Sequence, residues 1–468
     1  MSALKGANTQ WTTCGRKLLV DGRSFFVRGV NYAPTPIGKP GRLDMLGHEE
    51  IFTRDLVNLR AMHANAVKTY DFYSYVDHGK FLDAAYNGGK RPIYTVFSIW
   101  VDQSLMEPMT PINGPEFQQM VRNYYEMAKQ TSGHPGVMGY SIGGEINSIV
   151  VIREPSFWKK FALLTQAVRK GINENNAQKI ITTTFVDDGG MSFTTGEEFH
   201  ADVDLWGSNV YQTNYAGSVI PTYMRVPSTK PLLVSEYGFP YASNTAEGGP
   251  EDLDMIARML VEQTVAMERN YNLSDPLREQ ILVGGFVFEY SDEWWKAGNE
   301  NVHNLGEVAN GGFPLGYLSE EFFGLYRAVR PEHPEAIDKM HPRPTVDLLR
   351  DIWSKGTSRW RRRGLQRLHR QAQHASAQWS VAAERPWWRR ECAELRRGDH
   401  ARCRRDGRIG ASGLCRLYDK VTPRRVPKAV ANVQARGGCC GLHAAAGRAI
   451  VVRFFASPQR RRDRGGGR

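Results

Sequence analysis

Eight short, apolar, β-rich runs recur through the first 355 residues, at 25–31, 66–70, 92–97, 137–142, 180–185, 203–210, 232–235 and 282–290. Helix-sized stretches separate them. A strand with one wet face alternates apolar and polar residues, whereas these runs are almost continuously apolar, which is the pattern of strands buried on both faces. A parallel sheet wrapped by helices meets that demand, and eight strand–helix units predict an α/β fold, a (β/α)8 TIM barrel over residues 25–355. The segment before it, residues 1–24, reads as a hairpin region, because KLLV and RSFFV are joined at Asp21-Gly22, a strong two-residue turn signal.

The intervening stretches carry helical periodicity. Phe117, Met120, Val121, Tyr124, Met127 and Ala128 fall on one face ahead of the fourth strand. Ser156 is placed to N-cap a helix running through Gly171. Met255, Ile256, Met259, Leu260 and Ala266 share a face over residues 253–270, and residues 345–353 predict a closing helix. Between 186 and 202 the Gly, Thr and Asp content predicts a loop with at most a short helix.

Charge divides the chain at Gly356. From there to Arg468 there are 28 Lys and Arg against seven Asp and Glu, which leaves 33 basic against 42 acidic residues before it. The overall charge of +12 therefore belongs to the tail, and no nucleic-acid partner is expected for the barrel. Residues 356–468 lack a sustained helix or strand period and predict a disordered tail. Three origins fit it: a basic nucleic-acid-binding arm, a passive extension, or GC-rich coding sequence read out of frame. Five of the six cysteines lie there, leaving Cys14 alone in the first 355 residues and excluding a disulfide framework for them. No apolar run is long enough to span a membrane, and the N-terminus lacks a signal-peptide core, so the chain as written is expected to be cytoplasmic. The triplet beginning at Asn272 is a sequon of the kind that arises by chance.

Two carboxylates stand where barrel chemistry is built, at C-terminal strand ends. Glu145 follows VMGYSIGG on the fourth strand, and Glu236 follows PLLVS on the seventh. Retaining glycoside cleavage needs such a pair, one group to protonate the leaving oxygen and one to attack the anomeric carbon. A rival is Gly139-Tyr-Ser141-Ile-Gly143, which fits the G-x-S-x-G elbow of a serine esterase. The β-branched residues after Gly144 oppose the helix that such an elbow must open. A third reading is a carbohydrate-binding barrel without catalysis. The twelve histidines are scattered, His303 reading as structural, and no zinc spacing, phosphate-binding loop or nucleotide fingerprint is present, so no cofactor and no metal is expected.

GGEIN around Glu145, VSEYGFP around Glu236, GGFVFEYSDEWW at Gly284–Trp295 and FFVRGVNYAP at the first strand resemble the glycosidases of clan A. They are most similar to family 72, the fungal β-1,3-glucanosyltransferases. The resemblance spans roughly residues 17–353. It implies Glu145 as general acid/base, Glu236 as nucleophile, and a β-glucan polysaccharide or oligosaccharide as substrate. It implies that Tyr211, in Asn209-Val-Tyr211, holds Glu236, and that Trp294 or Trp295 lies beneath a sugar ring. Such relatives are extracellular or cell-wall proteins. The clan usually carries Asn immediately before the acid/base to bind the sugar 2-hydroxyl, and here that position is Gly144. Three consequences stay open: Asn147 or Asn209 supplies the contact, the substrate binds differently, or activity is low. Tyr237, Phe239, Tyr241, Trp294 and Trp295 are the aromatics available to bind an incoming acceptor sugar, unless they pack against one another instead. The oligomeric state is not legible.

Overall fold

The computed structural model describes residues 8–355, apart from 148–150, 213, 242–252, 273–279, 297, 304–319 and 334–335. The basic tail and the last two residues of the sequon lie outside the described residues.

Strands β1 (Trp11–Cys14), β2 (Lys17–Val20) and β3 (Arg23–Ser24) form a small antiparallel sheet. Asp21 and Gly22 turn the β2–β3 hairpin with φ of 48° and 75°, the left-handed pair that matches the twist of the flanking strands. Nine further parallel segments follow in chain order: β4 (Val27–Asn31), β5 (Ala66–Lys68), β6 (Tyr94–Ser98), β7 (Val137–Ile142), β8 (Ile180–Thr183), β9 (Phe185–Val186), β10 (Trp206–Asn209), β11 (Leu232–Tyr237) and β12 (Leu282–Val287). Their spatial order is β8-β7-β6-β5-β4-β12-β11-β10-β9. Because β8 and β9 are one course of chain broken at Thr184, the nine segments make eight strand positions, and the barrel is nearly closed.

Closure across the break is made by close contact. Asp204 donates its backbone N–H to Ile181 at 2.9 Å, and Gly207 donates to Thr183 Oγ1 at 2.9 Å. A Cβ on Gly207 would stand 2.0 Å from the Thr183 carbonyl oxygen, so β10 reaches this distance only with glycine there.

Helices α1 (Glu49–Ala61), α2 (Gly79–Tyr86), α3 (Pro115–Thr131), α4 (Pro155–Glu174), α5 (Met191–Glu198), α6 (Ile220–Tyr223) and α7 (Leu253–Tyr271) connect successive strands. After β12 the chain forms an antiparallel pair, β13 (Tyr326–Val329) and β14 (Lys339–Pro342), and the described residues close with α8 (Pro344–Lys355), which packs on α7. On α3 the buried face is Phe117, Tyr124, Met127, Ala128 and Thr131, while Met120 and Val121 of the expected stripe are half-buried at its margin. The expected cap of α4 is corrected: Glu154 is its N-cap residue, Pro155 opens the helix, and Ser156 lies within the first turn. Proline has no N–H to lose and a fixed φ, which makes it a better first residue than Ser156 is a cap.

One apolar cluster fixes which end of the barrel is free. Trp11 and Leu18 of the N-terminal sheet pack beneath Val27, Ala66, Val96, Met138, Ile180, Leu205, Leu233 and Val283, a contribution from every strand position near its start. The N-terminal end is thereby plugged, and loops at the C-terminal ends are left to build a site.

Candidate active site

A cleft of about 880 Å³, counting the space it shares with solvent, opens at the C-terminal ends of the strands. Glu145 and Glu236 both line it. After β7 the chain turns through Gly143 (φ 80°) and Gly144 to Glu145 (φ 59°). That unfavourable left-handed backbone at Glu145 is held from both sides. Its N–H donates to the Thr184 carbonyl at 2.8 Å, an acceptor made available by the break between β8 and β9, and its own carbonyl accepts from Gln103 Nε2 at 2.8 Å. Behind the turn, Tyr124 Oη accepts from the Gly143 N–H and donates to the Ile99 carbonyl.

The side chain of Glu145 accepts a hydrogen bond from Asn209 Nδ2 at 2.7 Å, and Asn209 Oδ1 accepts in turn from Ser235 Oγ at 2.8 Å. A register shift between Ser208 and Asn209 sets Asn209 opposite Glu236, so the two carboxylates share a structural mount. Burial, then the charge of Glu236, raises the Glu145 carboxyl to about 7, with the Asn209 hydrogen bond opposing.

Glu236 sits in a different setting. Tyr70 donates to its Oε1 at 2.7 Å and Tyr211 to its Oε2 at 2.8 Å, while Lys68 Nζ lies 3.4 Å from Oε1. Lys68 is fully buried beneath the barrel mouth, 3.9 Å from the Tyr70 ring centroid, and burial depresses its pKa against the pull of Glu236. Phe288 and Phe323 meet edge to face at 5.2 Å and pack on Tyr70 and Tyr211, fixing both hydroxyls.

Strand alternation separates the remaining sequence candidates. Glu236 points inward, so its neighbour Tyr237 turns out of the cleft and meets Thr264 of α7 at 3.1 Å. Phe239 and Tyr241 pack with Ile256 and Met259 on α7, and Tyr241 Oη donates to Thr345 Oγ1 at 2.6 Å. These three are core residues, not cleft residues, because the chain folds back over the helix after β11. Asn147 also leaves the cleft: it is buried, accepts from the Val186 N–H at 2.8 Å and donates to Val186 O and Ser192 Oγ. Asn209 lines the cleft with its amide engaged on Glu145. Of the indole pair, Trp295 lines the cleft, whereas Trp294 stacks on His303 with centroids 4.7 Å apart.

Ser141 lies inside β7, fully buried, with its Oγ 2.6 Å from Thr184 Oγ1. The strand runs on through Ile142, so no strand-to-helix elbow forms at this serine and the esterase geometry is missing.

Several cleft residues were not singled out by sequence. Lys68 and Tyr70 alternate at the end of the second barrel strand, and a lysine inside an apolar strand was the available signal. Arg42, Asp71 and Trp100 come from loops with no such mark. Lys296 bridges Glu293 at 3.0 Å and Glu320 at 3.1 Å; burial opposes its charge, and the two carboxylates more than offset this. Glu289 is wholly buried, and burial followed by the charge of Glu293 raises its carboxyl well above the usual range.

The family model for glycoside hydrolase family 72, described as glucanosyltransferase, matches residues 8–313. Comparison with curated proteins returned no match. Among solved structures, ScGas2 in complex with compound 6 aligns with a TM-score of 0.50 at 17% identity, over 74% of this chain and 69% of that one. The β-D-glucuronidase of Dictyoglomus thermophilum aligns with a TM-score of 0.51 at 15% identity, over 74% of this chain and 54% of that one. A structure of Saccharomyces cerevisiae Gas2p in complex with laminaripentaose has 17% identity and a TM-score of 0.49, over 74% and 69% of the two chains. This chain thus spans about two thirds of Gas2 and about half of the glucuronidase, and the first two likenesses are ones of fold.

Proposed function

Since the chain belongs to the glycoside hydrolase family 72 glucanosyltransferases, we propose that it cleaves and transfers a β-glucan, with β-1,3-glucan as the substrate, by a retaining double displacement. The observation that carries this reading is the unequal setting of the two carboxyls. Glu145, raised to about 7, holds a proton through the weakly acidic range. Glu236 is gripped by two tyrosine hydroxyls and faced by an ammonium, all complementary to negative charge. One group is set to give a proton and the other to attack, which is the division of labour the reaction needs.

In the first step Glu145 delivers its proton to the glycosidic oxygen as that bond breaks, and a carboxylate oxygen of Glu236 bonds to the anomeric carbon. In the second, Glu145, now ionised, takes a proton from a hydroxyl whose oxygen displaces Glu236. Asn209 stays on Glu145 through both steps and keeps it aimed at one oxygen. An activated 2-fluoro β-glucoside, which forms the intermediate faster than it is released, is expected to label the peptide containing VSEYGFP at Glu236, as peptide mass spectrometry would detect. Label on Ser141, or none during continued turnover, rejects the mechanism.

Whether water or a sugar completes the second step depends on binding. Trp295 and Trp100 are the indoles lining the cleft, and such apolar faces hold pyranose rings and exclude water. Transfer is therefore expected: a defined β-1,3-glucan oligosaccharide should give products longer than itself as well as shorter ones. Chromatography showing shorter products alone at high oligosaccharide concentration would leave a retaining hydrolase and remove the transferase.

A further inference from the structure

Nearly every charged group in the cleft is tied to another. Lys68 is committed to Glu236 and Lys296 to Glu293 and Glu320, while Glu145 accepts from the neutral amide of Asn209. Arg42 and Asp71 are different: both line the cleft, and among the described residues neither side chain has a hydrogen bond or an ion pair within 4 Å. Burial acts on Asp71, while Arg42 is held by its contact with the Trp100 ring, so both keep hydrogen-bonding capacity that the chain does not use in a concave site.

Both belong to one wall. The Arg42 guanidinium lies 4.2 Å from the Trp100 ring centroid and 5.9 Å from that of Trp295. Trp100 is 37% exposed, and its backbone N–H donates to the carbonyl of Tyr70, the residue before Asp71. Gly144 completes the wall; a Cβ there would meet Trp100 Cδ1 at 3.3 Å. The loop carrying Arg42 is itself keyed in, since a Cβ on Gly41 would stand 2.2 Å from the Trp295 ring. Burial raises Asp71 to about 6 with Arg42 opposing, so it is ionised at pH 7 in a poorly solvated place, where hydrogen bonds to a charged acceptor are strong.

We propose that Arg42, Asp71 and Trp100 form the specificity-determining subsite of this cleft, binding one neutral hexopyranosyl unit of the glucan. The indole takes a C–H face of the ring, the carboxylate accepts from its hydroxyls, and the guanidinium donates to them. An acidic sugar is disfavoured, because a carboxylate drawn to Arg42 would also face the charge of Asp71, which Arg42 already partly offsets. The inference rests on the glycosidase reading and adds to it the residues that choose the sugar.

The test uses the full chain carrying Glu236→Gln, which prevents turnover, and a β-1,3-glucan pentasaccharide titrated by calorimetry. Asp71→Asn and Arg42→Gln are each expected to weaken binding by roughly ten- to a hundredfold, the range for hydrogen bonds to charged groups, with thermal unfolding not lowered in either and raised in Asp71→Asn, which removes a charge that burial disfavours. Trp100→Phe is expected to diminish the sugar-induced change in indole fluorescence, leaving the part that Trp295 contributes. Parent-like affinity in Asp71→Asn and Arg42→Gln overturns the inference, and so does tighter binding of a β-glucuronide than of the matching β-glucoside. Either result leaves the catalytic reading intact if native Glu236 is still labelled by the 2-fluoro glucoside. A parent that does not bind the pentasaccharide, together with an unaltered chain that the 2-fluoro glucoside does not label, overturns the function and this subsite with it.

Discussion

Glu145→Ala is expected to slow cleavage of a natural β-glucan by about 10²- to 10⁴-fold, the contribution typical of a positioned general acid. The loss should be selective. A sugar alkoxide is a poor leaving group and needs the proton, whereas a dinitrophenolate does not, so the first step on a dinitrophenyl β-glucoside should survive as a burst. The second step lacks its base, the glycosyl-enzyme should accumulate, and azide, which needs no deprotonation, should release it as the glycosyl azide. The pH profile adds a sign. Glu145 must be protonated to act first, and burial with the Glu236 charge sets it at about 7. Activity of the unaltered chain on glucan should therefore fall as pH rises through about 7, and that alkaline limb should be missing from residual Glu145→Ala activity. Equal losses on good and poor leaving groups would assign Glu145 a structural role.

The barrel was legible in the sequence because its strands are buried twice, once by the barrel interior and once by the helices, and such strands spell themselves as apolar runs. The break at Thr184 was not: it arises where the Thr184 carbonyl turns to the Glu145 N–H, a contact between residues 39 positions apart that no local pattern encodes. Glu145 and Glu236 stood out for the same reason as the strands, each being a charge at the end of an apolar run. Tyr211 was named from its motif, and its hydroxyl stands 2.8 Å from Glu236. Its counterpart Tyr70 escaped notice although it bonds the other oxygen, since it approaches Glu236 from the far side of the barrel across 166 residues.

The aromatics after β11 show the opposite failure. Tyr237, Phe239 and Tyr241 looked like sugar-binding residues because they follow the nucleophile in sequence, yet alternation about Glu236 turns Tyr237 to α7, and the chain's return over that helix buries the other two. Asn147 was likewise close in sequence to Glu145 and is spent on the Val186 backbone instead. Proximity along the chain predicted these roles, whereas the face a side chain occupies decided them.

Glu236→Ala should have the larger effect, a loss on the order of 10⁵-fold or more, as when the nucleophile of a covalent mechanism is removed. Its character separates it from Glu145→Ala, because no leaving group, however good, should restore a burst when no atom remains to take the sugar. Geometry predicts what does restore turnover. An α-glucosyl fluoride presents the configuration of the glycosyl-enzyme, and with the Glu236 side chain gone its fluoride can occupy the vacated space beside Tyr70 and Tyr211. Glu145 remains to deprotonate an acceptor, so the variant should join α-glucosyl fluoride to a glucan in a β-bond and leave the product uncleaved. The variant also strips Lys68 of its counter-charge in a fully buried position. Removing one member of a buried pair costs about 3 to 5 kcal/mol, so thermal unfolding should shift down, and less so in Glu236→Gln, which keeps an oxygen near the ammonium. Products from the α-fluoride with both Glu236→Ala and Glu145→Ala in the same chain would mean that another group is the base. An α-fluoride that gives no product with Glu236→Ala alone, in protein shown to be folded, would mean that Glu236 is not the group that carries the sugar.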